Sequence, residues 1–249
     1  MKLGAQLYTV RKQMKTPDEI KSGLEKIAKI GYSCVQVSGI GKIDPKELKN
    51  ICDDLGLEIA VTHTASDRIL GDTEGVIADH DIMQCKYIGL GAMPKNYHKH
   101  EAVGDFYQNF HRAIEQIGKS GKIFTYHNHA FEFEKKDGVL MLDELFSKFD
   151  NTVMLTLDCY WANYGGVDVI DLIEKYKGRI DCVHLKDYAI KNNEIIMAPV
   201  MRGNMNYPKI IEALEKSGTK YALVEQDDCY GEDPFDCLAE SYENLKKYF

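Results

Sequence analysis

The sequence predicts an eight-stranded parallel (β/α)8 barrel, the TIM barrel fold. Eight short runs rich in β-branched and aromatic residues alternate with segments of helical periodicity along the 249 residues. Dividing 249 residues by eight gives about 31 residues for each unit, close to the repeat of barrels of about 250 residues. No low-complexity linker interrupts the alternation, so we expect one barrel domain over residues 1–249.

Each predicted strand is a short run flanked by glycine, asparagine or aspartate. Successive parallel strands are expected to be joined by right-handed crossovers. A doubly wound open sheet is the competing fold, but no Gly-x-Gly-x-x-Gly motif follows the first strand, and such a sheet need not stop at eight near-equal units. The predicted strands are residues 3–8, 34–39, 58–64, 87–92, 123–129, 154–159, 182–187 and 221–227.

The predicted helices begin and end with capping signals. Thr16-Pro17-Asp18-Glu19 offers an N-cap hydroxyl, a proline in the first turn and a carboxylate that can bond back, and Asp44-Pro45-Lys46-Glu47 repeats this arrangement. Gly31 and Gly56 stand where a left-handed residue would end these two helices. Later helices are predicted over residues 75–85, 104–119, 140–149, 168–177, 207–217 and 234–247.

Composition narrows the class of partner. The formal net charge of −8 and the sequence pI near 5.5 oppose non-specific attraction to a polyanion such as nucleic acid, so a small, neutral ligand is the better fit. Seven cysteines without a Cys-x-x-Cys pair do not suggest a disulfide framework. No apolar stretch is long enough to span a bilayer and no secretory signal opens the chain, so we expect a cytoplasmic protein without a membrane partner. The sequence is compatible with a monomer and with a homo-oligomer.

Polar residues fall at the C-terminal ends of the predicted strands, where TIM barrels place their active sites. The richest stretch is residues 124–133, which contains two histidines and a glutamate. Metal ligands must converge from separate elements, and imidazole and carboxylate groups suit zinc and manganese. The predicted ligands, from four successive strands, are Glu132, Asp158, His184 and Glu225.

Each of these residues also has an ordinary structural interpretation. Asp158 can cap a loop, His184 can be a satisfied core histidine, and either glutamate can pair with Lys186 or Arg202. Further strand-end residues complete the predicted pocket: Tyr8 and Trp161 as aromatic walls, His63 as a polar lining residue, and Lys186 as a cation on the strand face of His184.

Five segments, GAQLYTVR, YHNHAFEF, LDCYWANYGG, HLKD and VEQDD, resemble motifs of the xylose-isomerase-like superfamily of metal-dependent sugar isomerases and epimerases. The resemblance runs from the first strand to the last helix. It implies a Glu-Asp-His-Glu metal set, and Asp158, His184 and Glu225 match its last three members. Ketose epimerases carry the first glutamate where this chain has Tyr126 or His127.

The inosose dehydratase branch has a His-x-His run followed by a later glutamate. By that resemblance Glu132 is the first ligand, with His127 or His129 as the alternative ligand or as a proton carrier. A second departure is Arg202, which stands where relatives carry a glutamate. It is interpreted either as a group that binds a substrate carboxylate or phosphate, or as a solvated loop arginine.

The residues and the resemblance together predict a metal-dependent isomerase or epimerase of a sugar or keto-sugar. The cofactor would be manganese, zinc, magnesium or cobalt, polarising a carbonyl and stabilising an enediolate. Glu132 and Glu225 are the predicted bases, and His127, His129 and Lys186 assist. One alternative is a dehydratase or lyase acting on an inosose or 3-keto-sugar through the same site, and another is a non-catalytic sugar-binding barrel. The acidic charge disfavours an abasic-site endonuclease.

Overall fold

The computed structural model describes residues 1–249 and contains a closed barrel of eight parallel strands, which confirms the predicted fold class. Neighbouring strands pair in chain order, and the last strand closes onto the first through pairs such as Gly4 with Leu223. The barrel strands are β1 (Lys2–Gln6), β2 (Cys34–Val37), β3 (Glu58–Thr64), β4 (Tyr87–Leu90), β5 (Ile123–His127), β6 (Met154–Asp158), β7 (Cys182–Leu185) and β8 (Tyr221–Val224).

Helices surround the barrel and pack their apolar faces on it. The capping box at Thr16 forms as predicted, because the Thr16 hydroxyl accepts the Glu19 N–H while Glu19 accepts the Thr16 N–H. Asp44 caps the second helix. The helices are α1 (Pro17–Ile30), α2 (Pro45–Asp54), α3 (Ser66–Gly71), α4 (Thr73–Ile82), α5 (Val103–Lys119), α6 (Met141–Lys148), α7 (Cys159–Tyr164), α8 (Val169–Lys175), α9 (Tyr207–Ser217) and α10 (Pro234–Leu245).

Two further observations bear on the expectations from composition. None of the helices combines the length and the apolar character that a membrane crossing requires. All seven cysteines are free thiols, six of them buried, in agreement with the absence of a disulfide framework.

The main additions to the predicted elements lie in the loops above the barrel. The short helices α3 and α7 follow β3 and β6 directly, and two antiparallel hairpins form over residues 135–140 and 187–198. The predicted strands also end earlier in several places, for example at His127 rather than residue 129. These loops carry the polar ends of the strands over the mouth of the barrel.

Asp187 organises the loop after β7. Its buried carboxylate accepts four backbone N–H groups, from Tyr188, Met201, Gly203 and Met205, at 2.8–3.2 Å. A side chain on residue 203 would place its Cβ 2.2 Å from the Tyr188 carbonyl oxygen, so the close approach requires glycine. The carboxylate therefore acts as an internal anion that satisfies the backbone of this loop.

Replacing Asp187 with alanine is expected to lower the free energy of unfolding by about 3 kcal/mol or more, because buried N–H groups lose their acceptor. Asp187→Asn keeps one acceptor oxygen, so it should lower the free energy of unfolding by less than Asp187→Ala does. Urea unfolding followed by circular dichroism measures both, with the exposed Asp54→Ala as a control. Equal stability of Asp187→Ala and Asp54→Ala would contradict this role.

Candidate metal centre and pocket

A cavity of about 590 Å³ opens at the C-terminal ends of the barrel strands. Its lining residues lie at or just beyond the ends of the strands, and Tyr8, His63 and Trp161 are among them, as the sequence analysis expects of a pocket. A cavity of this size lies within the range of small-molecule sites.

Four buried side chains bring their ligand atoms within 4.8 Å of one another at this end of the barrel: His127, Asp158, His184 and Glu225. His127 and Asp158 end β5 and β6, His184 lies within β7, and Glu225 follows β8 directly. The Nε2 atom of His127 lies 3.3 Å from Asp158 Oδ2, and the Nδ1 atom of His184 lies 2.9 Å from Glu225 Oε2. Two nitrogens and two carboxylates form a donor set that suits zinc, manganese or a similar divalent cation.

Hydrogen bonds behind the two imidazoles orient them toward this point. His184 Nε2 lies 2.7 Å from the amide oxygen of Gln36, and His127 Nδ1 lies 2.9 Å from the carbonyl oxygen of Gly91. Both oxygens only accept, so each ring carries its proton on the outer nitrogen. The inner nitrogen can then present a lone pair to a cation, as in metal sites with hydrogen-bonded histidine ligands. The residues present therefore fit a divalent cation.

The carboxylates are anchored as well. Asp158 Oδ1 accepts the backbone N–H of Trp161 at 2.9 Å and so begins α7, which leaves Oδ2 facing the cluster. Asn128, between the two histidines of the His-x-His run, accepts the Asp158 N–H at 2.9 Å and ties β5 to β6. The sequence patterns predicted no role for Asn128 or Gln36. The signal that could have indicated one is an amide residue within, or directly after, an otherwise apolar strand.

Lys186 lies inside the same cluster. Its Nζ atom is 2.9 Å from Asp158 Oδ2, 2.9 Å from Glu225 Oε2 and 3.1 Å from Asp227 Oδ2. Burial opposes the charge of this lysine, but the three carboxylates outweigh it and hold its pKa well above the usual value. The ammonium group thus compensates part of the buried negative charge.

The charges of the cluster shift its pKa values in opposite directions. Burial favours the neutral form of Glu225, yet Lys186 and His184 lower its pKa well below the usual range. Burial likewise disfavours the charged imidazole of His184, yet Glu225 and Asp158 raise its pKa to about 9. A cation that binds Nδ1 must therefore displace a proton from His184.

Glu132 lies outside this group, in the turn Phe131–Phe133. One of its oxygens accepts the Tyr126 hydroxyl at 2.6 Å, and the other accepts the His129 N–H at 2.8 Å. Burial raises its pKa to about 7. The fourth member of the cluster is thus His127, the alternative from the sequence, and not Glu132.

The reason is the alternation of side chains along β5. Tyr126 points outward, where its ring contacts Phe106 of α5 and Phe146 of α6, whereas His127 points into the barrel. After His127 the chain turns and brings Glu132 back onto the Tyr126 hydroxyl, behind the wall of the pocket. Glu132 is not among the residues that line the cavity.

Two further histidines line the cavity in their neutral form. Burial lowers the pKa of His129 to about 3 and that of His63 well below its usual value. The Nδ1 atom of His129 and the Nε2 atom of His63 are buried without a hydrogen-bond partner, while His63 Nδ1 lies 3.2 Å from the Ser38 hydroxyl. Each ring therefore keeps one buried nitrogen that makes no hydrogen bond within the protein.

Arg202 is placed away from the cavity. Its guanidinium donates to Glu232 at 2.9 Å and to Glu240 at 3.0 Å, and its side chain is 40% exposed. It is not a lining residue. The structure therefore favours the interpretation of Arg202 as a surface arginine in an ion pair over that of a substrate-binding group.

Comparisons with known proteins agree with this architecture. A sequence profile described as xylose isomerase-like TIM barrel matches residues 24–248. A curated relative, an inosose dehydratase of Geobacillus kaustophilus, is 28% identical over 200 residues, which cover 69% of this chain and 62% of that enzyme. The chain thus spans less than two thirds of the length of that relative.

Two solved structures are similar in fold. A sugar phosphate isomerase/epimerase from Parabacteroides distasonis has a TM-score of 0.81 and 24% identity, over 98% of this chain and 93% of the other. A probable 3-DHS dehydratase of petrobactin synthesis from Bacillus anthracis has a TM-score of 0.78 and 14% identity, over 99% of each chain. The profile match extends over nearly the whole barrel and confirms the resemblance seen in the motifs: the chain belongs to the xylose isomerase-like TIM barrel family.

Proposed function

We propose that this protein is a metal-dependent isomerase or epimerase of a sugar or keto-sugar. The observation that carries the proposal is the convergence of His127, Asp158, His184 and Glu225 within 4.8 Å beside a cavity of about 590 Å³. Membership of a family whose relatives include sugar isomerases, epimerases and dehydratases supports it. These four residues would hold the cation.

When bound, a divalent cation polarises a substrate carbonyl and stabilises the enediolate that forms on loss of the neighbouring proton. Glu225, which lines the cavity and stays ionised, takes that proton from carbon, and in an isomerase it returns the proton to the adjacent carbon. His129 lines the cavity and is neutral, so it moves a proton between the two substrate oxygens. Lys186 compensates the negative charge of the three carboxylates around its Nζ atom, and Trp161 packs against the sugar C–H face.

A dehydratase is the second candidate, and one observation favours it. Glu132 is buried behind the pocket wall, so the β5 side of the cavity presents imidazoles rather than a second carboxylate. A carboxylate base on one side and imidazole groups that can hydrogen-bond a departing hydroxyl group on the other suit removal of a proton and a hydroxyl group as water. The curated relative is an inosose dehydratase, which agrees with this chemistry.

Proton exchange in heavy water tests the shared step of both candidates. The protein is incubated with manganese and a panel of ketoses and inososes, and NMR follows loss of the proton next to the carbonyl. We expect exchange that requires the metal and stops on addition of EDTA. A new sugar isomer identifies an isomerase or epimerase, whereas an enone absorbance identifies a dehydratase. Absence of both metal and exchange would favour a sugar-binding barrel without catalysis.

A further inference from the structure

We propose that the substrate is an uncharged sugar derivative without a phosphate group, because every cation at the pocket is already engaged and the usual phosphate position is filled by the protein itself. This inference rests on the proposed function and specifies its substrate class. It separates this chain from the Parabacteroides distasonis neighbour, which is described as a sugar phosphate isomerase/epimerase.

The charges that face the cavity come mainly from one lysine and two carboxylates. Lys186 is the only lysine or arginine among the lining residues, and three carboxylates lie within 3.1 Å of its Nζ atom. Two of those carboxylates, Glu225 and Asp227, line the cavity themselves. The cavity therefore offers a phosphate dianion no lysine or arginine that is free of carboxylate partners.

Arg11 and Arg202 are both engaged by other groups of the protein. The Arg11 guanidinium lies 3.9 Å from the centre of the Tyr8 ring and donates to the carbonyl oxygens of Tyr8 and Asp227, which ties the first βα loop to the last. Arg202 is paired with Glu232 and Glu240. Neither side chain lines the cavity.

TIM barrels frequently bind phosphate at the loops that follow β7 and β8, through backbone N–H groups. Here the N–H groups of Tyr188, Met201, Gly203 and Met205 all point at the buried carboxylate of Asp187. A phosphate would need those same donors, and it would meet a like charge in their place. The anion position of this loop is thus occupied by the chain.

What remains in the cavity suits a neutral polyhydroxylated molecule. Ser38, Thr64 and Ser66 supply hydroxyl groups at the lining, and the Tyr8 and Trp161 rings supply apolar faces. Hydroxyl groups recognise sugar hydroxyls, and sugar C–H faces pack on aromatic rings.

The test uses Trp161, which is the single tryptophan of the chain and lines the cavity. Its fluorescence is titrated on the full chain, as purified, with matched pairs: D-fructose and its 6-phosphate, and D-xylulose and its 5-phosphate. We expect each phosphate ester to bind at least about tenfold more weakly than its neutral partner, because like charges would be brought together. A smaller ratio, tighter binding of an ester, or no saturable change with any neutral sugar would overturn the proposal.

Three variants test which side chains cause the difference in affinity between a neutral sugar and its phosphate ester. Asp227→Asn removes one negative charge from the lining, so the phosphate ester should bind more strongly. The ratio of neutral-sugar affinity to ester affinity should therefore fall by about threefold. Arg11→Gln and Arg202→Gln should leave the ratio unchanged, and selective loss of ester binding in either variant would reveal a phosphate subsite and refute the inference. Since these titrations measure binding rather than turnover, they remain informative if the proton-exchange test of the proposed function fails.

Discussion

Manganese affinity is expected to fall at least about 100-fold when His127 is replaced by glutamine, because a ligand that points into the cluster is lost. His127 ends β5, its outer nitrogen is held by the Gly91 carbonyl, and its inner nitrogen lies 3.3 Å from Asp158 Oδ2. Elemental analysis of the purified variant and calorimetric titration of the metal-free protein measure the change.

Glu132→Gln is the matched comparison. Glu132 accepts hydrogen bonds from Tyr126 and from the His129 N–H, so we expect the variant to retain metal within about tenfold of wild type, as for a residue that only supports the ligands. Its stability should fall by about 1–3 kcal/mol, since an amide NH₂ would face a buried donor. Loss of metal from Glu132→Gln with full retention in His127→Gln would reverse the proposed ligand set and favour the assignment from sequence.

Turnover is expected to fall by about a thousandfold or more when Glu225 is replaced by glutamine, because an amide cannot remove the proton next to the carbonyl. Glu225 is suited to this step since its pKa is held low by Lys186 and His184, so it is ionised at neutral pH. The variant is also short of one metal ligand. Activity is therefore measured as kcat at saturating manganese, together with proton exchange in heavy water.

The surface variant Glu215→Gln serves as the control, because Glu215 is exposed on α9. It should match wild type in metal content, exchange and stability. If Glu225→Gln keeps wild-type exchange with metal bound, the base is another group of the cavity. Asp227 is then the next candidate, since burial raises its pKa to about 6.

Much of the fold is encoded in local patterns. The eight strands and the main helices were predictable because periodicity and capping residues act over a few neighbours, as at Thr16 and Asp44. The helix α7 was not predicted, because it begins only when the Asp158 carboxylate, a strand-end residue, also accepts the Trp161 N–H. The hairpin over residues 187–198 likewise depends on the nest of donors around Asp187.

The barrel and the rim that carries its polar residues can be predicted from the order of residues along the chain. Strand and helix periods are local, and the C-terminal ends of all the strands share one rim. Which of those residues meet depends on the folded chain. Alternation in β5 sends Tyr126 outward and His127 inward, and the following turn returns Glu132 to Tyr126 rather than to the cluster. Arg202 and Lys186 are both cationic residues in the sequence, but their partners differ. Arg202 pairs at the surface with Glu240 of α10, whereas Lys186 is buried beside Glu225, which follows β8. Such contacts depend on side-chain direction and on segments far apart in the chain, which spacing alone does not encode.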